Sequence, residues 1–397
     1  MNGKILWKSL PIVALALAGG RAYAQDCTLG PNAIVLSGSS AMGPTVKATA
    51  GSLLAMGNID VFYYAPGSCT GTNAFLAGDD LVGKSADHYD AMGNKTTCTL
   101  PAGTKADLGV TDVFVEVCTG GTKPAGVTDF PGFIQSMLYV VPRISTQNAL
   151  VAEEGYFVFG AGTTGFQGMT ISPWVDQTKF AIRNAGSGTQ QMIARSISLT
   201  AEAMKGTDSG GTGGVVTALT TANGTPATAE PAIGIISSDA YDVNRMNLKA
   251  LAFQAFKQKH AYYPDSTASG FDKKNVRDGH YTIWGPLHMV AKTGADGKAT
   301  KQQVQDFIDY VQLKKPLGTT KFIDVIIGAH VVPSCAMKVQ RSTEMGPLSP
   351  YTPPAGTACG CYFDDKFKTA GTTSSCTACP NGNECPTGKM CSNGFCE

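Results

Sequence analysis

The sequence has little charge and few histidines, and it has no second long apolar run. Only 15% of its 397 residues are charged and the formal net charge is +1, so no basic surface is available for nucleic acid or an acidic membrane. The five histidines are scattered without the spacing of metal ligands, which leaves a zinc enzyme without support. After the first residues no apolar segment is long enough to cross a bilayer, so we expect no transmembrane segment in the processed protein.

The chain begins with a pattern typical of a secretory signal peptide. Two lysines precede an apolar segment, residues 10–18, and a small-residue cleavage site ends at Ala24. We therefore expect residues 1–24 to be removed and the protein to act in the periplasm, outside the cell or on its surface. Cys27 does not follow a lipobox, so no lipid anchor is predicted.

Twelve cysteines in an exported chain predict disulfide bridges rather than metal ligands or a catalytic thiol. Five lie in the body and seven in the tail that follows residue 347. Because both numbers are odd, full pairing needs a bridge between body and tail, and we expect Cys335 to pair with Cys359 or Cys361. A metal site is the alternative for one group of tail cysteines, namely Cys376, Cys379, Cys385 and Cys391.

Residues 81–105 are predicted to form a looped insertion. Cys98 lies inside it, and we expect this cysteine to pair with Cys118 or Cys69.

The most informative stretch is a Gly-Ser-Gly-Thr turn, residues 186–189, which opens a predicted helix over 190–199. Arg183 precedes this turn and supplies a fixed cation. Ser187, Gly188 and Thr189 offer two hydroxyls and backbone N–H groups at the start of the helix, which is the chemistry of an oxyanion site. The alternative is an ordinary Ser/Thr helix cap beside a solvated surface arginine.

Two further turns of small residues each follow a predicted strand. The first contains Ser39 and Ser40 and lies between a strand at 33–36 and a helix at 45–56. The second contains Ser68 and follows a strand at 60–64. A strand, a turn and a helix in this order aim N–H groups and hydroxyls at whatever lies above the turn.

Asp112 lies at the end of another predicted strand, residues 106–114. A carboxylate at such a position is ordinarily a turn or capping residue.

Strands alternate with helices throughout the body, which predicts an α/β fold with mostly parallel connections. The β-prone runs 133–142 and 280–290 suit two strands that cross between lobes. A Gly-x-Gly-x-x-Gly match at 160–165 follows a predicted helix rather than a strand, so a dinucleotide site is not supported.

With these features together, the chain resembles the periplasmic phosphate-binding proteins of ABC phosphate uptake systems, which have the type 2 periplasmic-binding-protein fold. The resemblance covers roughly residues 33–341 and not the tail. Its most specific part is the segment 183–189, which is similar to the family's Arg-x-Asp-Gly-Ser-Gly-Thr loop, although Ala185 stands where the family has aspartate. The turns at Ser39 and Ser68 and the Thr111-Asp112 pair resemble the family's other loops.

The resemblance implies a role for each matching residue. Oxygens of a bound phosphate would be held by residues of both lobes: Ser39, Ser40 and Ser68 from one, and Arg183, Ser187, Gly188 and Thr189 from the other. Asp112 would accept a hydrogen bond from a protonated phosphate oxygen, whereas sulfate carries no such proton.

The sequence therefore predicts two lobes, each a mixed, mostly parallel sheet flanked by helices, and a small disulfide-rich tail. We expect residues 25–135 and 286–346 in the first lobe, 136–285 in the second, and the linker and tail at 347–397. The predicted function is capture of inorganic phosphate, with an ABC permease as a possible partner and with no catalysis, cofactor or metal. The alternative is a secreted or surface interaction protein that keeps the fold, has altered or lost its ligand, and docks a partner through the tail.

Overall fold

The computed structural model describes residues 25–162, 170–368, 376–382 and 384–397. The predicted signal peptide, residues 1–24, lies outside the described residues, as does Gly165 of the Gly-x-Gly-x-x-Gly match.

The first part of the chain forms repeated strand–turn–helix units. Its elements are β1 (Ala33–Gly38), α1 (Gly43–Gly57), β2 (Asp60–Tyr64), α2 (Ser68–Ala77), β3 (Ser85–Tyr89), β4 (Lys95–Thr99), β5 (Leu108–Thr111) and α3 (Val115–Thr119). Pro44 in the first turn of α1 suits a helix start, and Asn58, in the left-handed region at φ 53°, ends that helix. β1 pairs in parallel with both β2 and β5, so the turns that follow these three strands open at one edge of the sheet.

The second part begins with a long strand and continues through shorter ones. Its elements are β6 (Val127–Pro142), β7 (Ala149–Val151), α4 (Ala152–Ala161), β8 (Phe180–Ile182), α5 (Gly188–Ser196), β9 (Thr207–Asp208), α6 (Thr212–Ala222), α7 (Pro226–Ala229), β10 (Ile233–Ser237), α8 (Ser238–Asp242), β11 (Leu248–Ala250), β12 (Ala252–Gln254) and α9 (Lys274–Arg277). β10 pairs in parallel with β8, and β8 with β9, so the loop after β8 also opens at the carboxyl ends of parallel strands.

The chain then returns through β13 (Trp284–Lys292), α10 (Gln302–Val311) and α11 (Phe322–Gly328). β13 pairs antiparallel with β5 and with the first part of β6, while the end of β6 pairs with β10 and β11. The strands predicted at 133–142 and 280–290 are confirmed as β6 and β13, although β6 begins earlier, at Val127, and β13 begins later, at Trp284. The predicted α/β fold class is also confirmed. The result is an 11-stranded sheet in which β13 and β6 are neighbours near the middle.

β14 (Val339–Gln340) precedes the tail and pairs antiparallel with its first strand, β15 (Ser349–Pro350). The tail continues through α12 (Gly360–Phe367), β16 (Cys391–Ser392) and β17 (Phe395–Cys396). Each cysteine in the described part of the chain forms a disulfide. The pairs are Cys27–Cys98, Cys69–Cys118, Cys335–Cys359, Cys361–Cys376, Cys379–Cys391 and Cys385–Cys396. The predicted link from body to tail is confirmed as Cys335–Cys359, and the four tail cysteines considered as metal ligands are all bridged.

The predictions for residues 81–105 were wrong in two respects. The region is not a simple loop, because β3 pairs with β4 and extends the edge of the sheet beside β2. Cys98 lies on β4 and bridges to Cys27, whose N–H donates to the Thr99 carbonyl at 2.8 Å. Cys69 instead pairs with Cys118, because their helices, α2 and α3, pack together.

Within the described part of the chain, none of the helices combines the length and apolarity needed to span a bilayer.

Candidate functional site

Three helical segments begin around one small volume at the carboxyl ends of parallel strands. Ser39 follows β1 and caps a short 3-10 turn, its Oγ accepting the Ala41 N–H at 3.0 Å. Ser68 is the first residue of α2, and Ser187 is the residue before α5. The first N–H groups of a helix have no partner within that helix and carry its positive end, so this volume favours an anion.

Asp112 lies between the first two of these segments and is buried. The Ser39 hydroxyl lies 2.6 Å from each of its carboxylate oxygens, and the Ser68 hydroxyl donates to Oδ2 at 3.0 Å. Burial raises the pKa of Asp112 to about 6, while the two serine hydrogen bonds act against that shift. The negative charge of Asp239 raises this pKa further and the positive charge of Arg183 lowers it.

Arg183 lies immediately after β8 and is 7% exposed. Its Nη1 donates to the Thr212 hydroxyl at 2.9 Å, and its Nε is buried without a hydrogen-bond partner among the described residues. Burial lowers the pKa of Arg183, and the negative charges of Asp112 and Asp208 partly offset this effect. No carboxylate in the described ranges forms an ion pair with this guanidinium. Burying a cation without such a partner is unfavourable, and a bound anion would offset this cost.

The loop after Arg183 is held by side chains that the sequence analysis did not single out. Gln190 Oε1 accepts the Arg183 N–H at 2.8 Å, and Gln191 Nε2 donates to the Ala185 carbonyl at 2.6 Å. The Asn184 Oδ1 accepts the Gly186 N–H at 3.0 Å. Two adjacent glutamines in the first turn of a predicted helix are the sequence signal that could have identified these loop-holding side chains.

The loop after Arg183 touches the start of α2 and Asp112 at this site. The Cys69 N–H at the start of α2 donates to the Gly186 carbonyl at 2.9 Å. A Cβ added at Gly188 would lie 2.4 Å from Ser68 Oγ and 2.8 Å from Asp112 Oδ2, so only glycine permits this close approach.

The structure brings most of the predicted site residues together. Ser39, Ser68, Asp112 and Gly188 converge through the contacts given above, and Arg183 lies within electrostatic reach of Asp112. Ser187 and Thr189 are buried at the start of α5, whereas Ser40 is exposed. The binding roles of all eight residues remain predictions.

Asp239 is a further acidic residue near the site that the sequence did not reveal. It is buried in the first turn of α8, and Gln135 Nε2 of β6 donates to its Oδ1 at 2.6 Å. Burial raises its pKa, and its charge in turn raises the pKa of Asp112.

No protein-family model and no curated protein matches the chain. Among solved structures, it is similar to a candidate phosphate ABC transporter substrate-binding protein with bound phosphate from Clostridium perfringens, at 16% identity over 76% of this chain and 99% of the other, with a TM-score of 0.49. An ABC-type phosphate transport receptor from Vibrio cholerae gives 14% identity over 75% of this chain and 99% of its own, with a TM-score of 0.47. At such identities the similarity concerns the fold alone.

Proposed function

We propose that this protein is an exported solute-binding protein that captures inorganic phosphate between its two lobes and delivers it to an ABC permease. The observation that carries the proposal is Arg183, a buried guanidinium without an ion pair among the described residues, beside the uncapped start of α5. An anion there would receive donors from Arg183 and from the helix N–H groups.

The pairing of many donors with one acceptor favours phosphate over sulfate. When Asp112 is ionised, it accepts hydrogen bonds and cannot donate them. A phosphate that still carries a proton can donate a hydrogen bond to it. Sulfate has no proton to donate near neutral pH, so the carboxylate would repel it and no hydrogen bond would offset this repulsion. Selectivity then comes from a penalty on the wrong anion as much as from attraction to the right one.

Capture requires donors from both lobes, which we assign to residues 25–135 with 286–346 and to residues 136–285. Ser39, Ser68 and Asp112 would hold the anion from the first lobe, and Arg183, Ser187 and Thr189 from the second. The Cys69–Gly186 hydrogen bond supports this assignment, since it joins the two loops directly beside the proposed site. Full disulfide pairing of the described cysteines supports export to an oxidising compartment.

Calorimetric titration tests the proposal directly. Phosphate, with sulfate as the control ligand, is titrated into protein that has been unfolded, stripped of anion and refolded. We expect binding of phosphate, little or no heat with sulfate, and loss of phosphate binding in Arg183→Ala.

Arg143→Ala is the matched control, because it removes an exposed arginine that follows the end of β6 and lies outside the proposed site. This variant should bind phosphate as the unmodified protein does. Absence of both heat and thermal stabilisation with phosphate in the unmodified protein would overturn the proposal.

A further inference from the structure

A groove of about 1200 Å³ lies between the body and the tail. We call it the tail groove. One wall comes from β6 and β13 through Ile134 and Trp284. A second comes from residues 312–323, which connect α10 to α11 and include the first two residues of α11. The third wall comes from the tail, through Tyr351 and Tyr362 among others. None of the predicted phosphate-site residues lines it.

The charge of the tail groove has one sign. Its lining includes Lys314, Lys315, Lys321 and Arg341, and no aspartate or glutamate among the described residues. The chain as a whole carries 31 basic and 30 acidic residues, so this excess is local. A cleft lined by cations concentrates anionic partners.

Two of these cations are available to a partner. Lys314 and Lys321 are exposed and form no ion pair within the described part of the chain, whereas Lys315 is paired with Asp306 at 2.9 Å. Arg341 stacks over the Trp284 ring at 4.3 Å and donates to the Thr282 carbonyl, so it forms part of the wall. The charge of Glu344 acts on this arginine.

The rest of the lining is largely apolar and aromatic. Ile134, Pro286, Phe322, Met337 and Val339 contribute to it. The volume exceeds the 300–1000 Å³ or so of ordinary small-molecule pockets, which favours a segment of chain as the occupant. Aliphatic side chains such as Ile134, Met337 and Val339 in these walls favour a peptide with apolar side chains of its own.

The tail wall is firmly held, so the groove is formed before any partner binds. The Cys335–Cys359 disulfide attaches it covalently, and the Arg277 guanidinium of α9 pairs with Asp364 of α12. The Tyr362 hydroxyl donates to Asp324 of α11 at 2.5 Å. A rigid groove binds with a smaller loss of conformational entropy.

We propose that the tail groove binds an extended acidic segment of a partner protein, in which glutamate or aspartate residues alternate with apolar or aromatic ones. The lysines would meet the carboxylates and the walls would receive the apolar side chains. This gives the cysteine-rich tail a role in recognition that does not depend on phosphate capture.

Fluorescence polarisation with a labelled peptide of about ten residues, alternating Glu and Tyr, tests the inference on the full processed chain. We expect saturable binding that is unaffected by phosphate, and no binding of a matched peptide with Lys in place of Glu. The double variant Lys314→Glu/Lys321→Glu should lose at least tenfold in affinity.

The double variant Lys123→Glu/Lys298→Glu is the control, since both lysines are exposed, neither lines the groove, and the net charge changes equally. It should bind the acidic peptide normally. An equal loss in both double variants, or no binding by the unmodified protein, would overturn the inference. Lysine-dependent binding of polygalacturonate without binding of the peptide would also overturn it, and would assign the groove to a polysaccharide.

Discussion

The hydroxyl of Ser39 lies 2.6 Å from both carboxylate oxygens of Asp112. One hydroxyl hydrogen can serve only one of these oxygens at a time, and Ser68 donates a second hydrogen bond to Oδ2. An ionised carboxylate has roughly four lone-pair positions, so the two serines orient it and still leave acceptor capacity. Asp112 is therefore a fixed acceptor among donors.

Asp112→Asn should reduce the preference for phosphate over sulfate. The amide replaces an acceptor by a donor, which removes the partner of the phosphate proton and also the repulsion that opposes sulfate. We expect the ratio of the two affinities to fall at least tenfold, about the effect of one hydrogen bond to a charged group. Calorimetric titration of both anions into both proteins measures this ratio.

Asp90→Asn is the control for this exchange of carboxylate for amide. Asp90 holds the turn between β3 and β4 through bonds to Met92 and Asn94, outside the site. Its variant should keep the full preference for phosphate. An unchanged preference in Asp112→Asn would show that the carboxylate does not select the anion.

The raised pKa of Asp112 predicts a pH-dependent stability. Because the folded-state pKa is about 6 and the unfolded value 3.8, the folded protein binds the extra proton between these limits. The contribution of Asp112 to the free energy of unfolding is fully present below about pH 4 and is lost as pH rises through about 6. The loss amounts to about 3 kcal/mol. Other carboxylates titrate in the same range, so the difference between the unmodified protein and Asp112→Asn isolates it.

Urea unfolding in phosphate-free buffer at both ends of this range measures that difference. We expect the unmodified protein to lose stability relative to Asp112→Asn as pH rises. A difference in the free energy of unfolding that does not change with pH would contradict the raised pKa of Asp112.

The alternation of strands, small-residue turns and helices was enough to predict the α/β fold and both crossing strands. β6 contains the continuous apolar run of a strand that is buried along most of its length, and this signal is local. The hairpin of β3 and β4 was not predictable in the same way, because Lys95–Thr99 is polar and mostly exposed. The hairpin joins the sheet only because β3 pairs with the edge of β2 and β4 pairs with β3, which is a tertiary effect.

The candidate site likewise contains residues with a local sequence signal and residues that only tertiary packing brings there. Turn residues such as Ser39, Ser68 and Gly188 carry a local signature, so the sequence could single them out. Thr212 and Asp239 do not, because their proximity to Arg183 and Asp112 arises only when separate segments pack. Disulfide partners have the same limitation, and Cys98 shows it.

Gly188→Ala should weaken phosphate binding. The new Cβ would lie 2.4 Å from Ser68 Oγ and 2.8 Å from the Asp112 carboxylate, so the start of α5 would have to move away from these two residues or their side chains would have to be displaced. We expect at least a tenfold loss in affinity by calorimetric titration. Gly213→Ala is the control, since it also lies in the first turn of a helix and its Cβ would contact nothing within 4 Å. Equal affinity in the two variants would show that the close approach is not needed for binding.

Removing the link between body and tail should destabilise the attachment of the tail. Cys335 and Cys359 are separated by 24 residues, and opening a loop of this length costs about 3 kcal/mol in the chain-entropy model. We expect the variant Cys335→Ser/Cys359→Ser to expose the tail to limited proteolysis and to lower the free energy of unfolding by about that amount.

Cys379→Ser/Cys391→Ser is the control, because that bridge lies within the tail and leaves the attachment intact. The control should keep the body's stability and the protection of α12. If both double variants release the tail equally, its position depends on the internal folding of the cysteine-rich segment. If neither does, Arg277 with Asp364 and Tyr362 with Asp324 are sufficient to hold it.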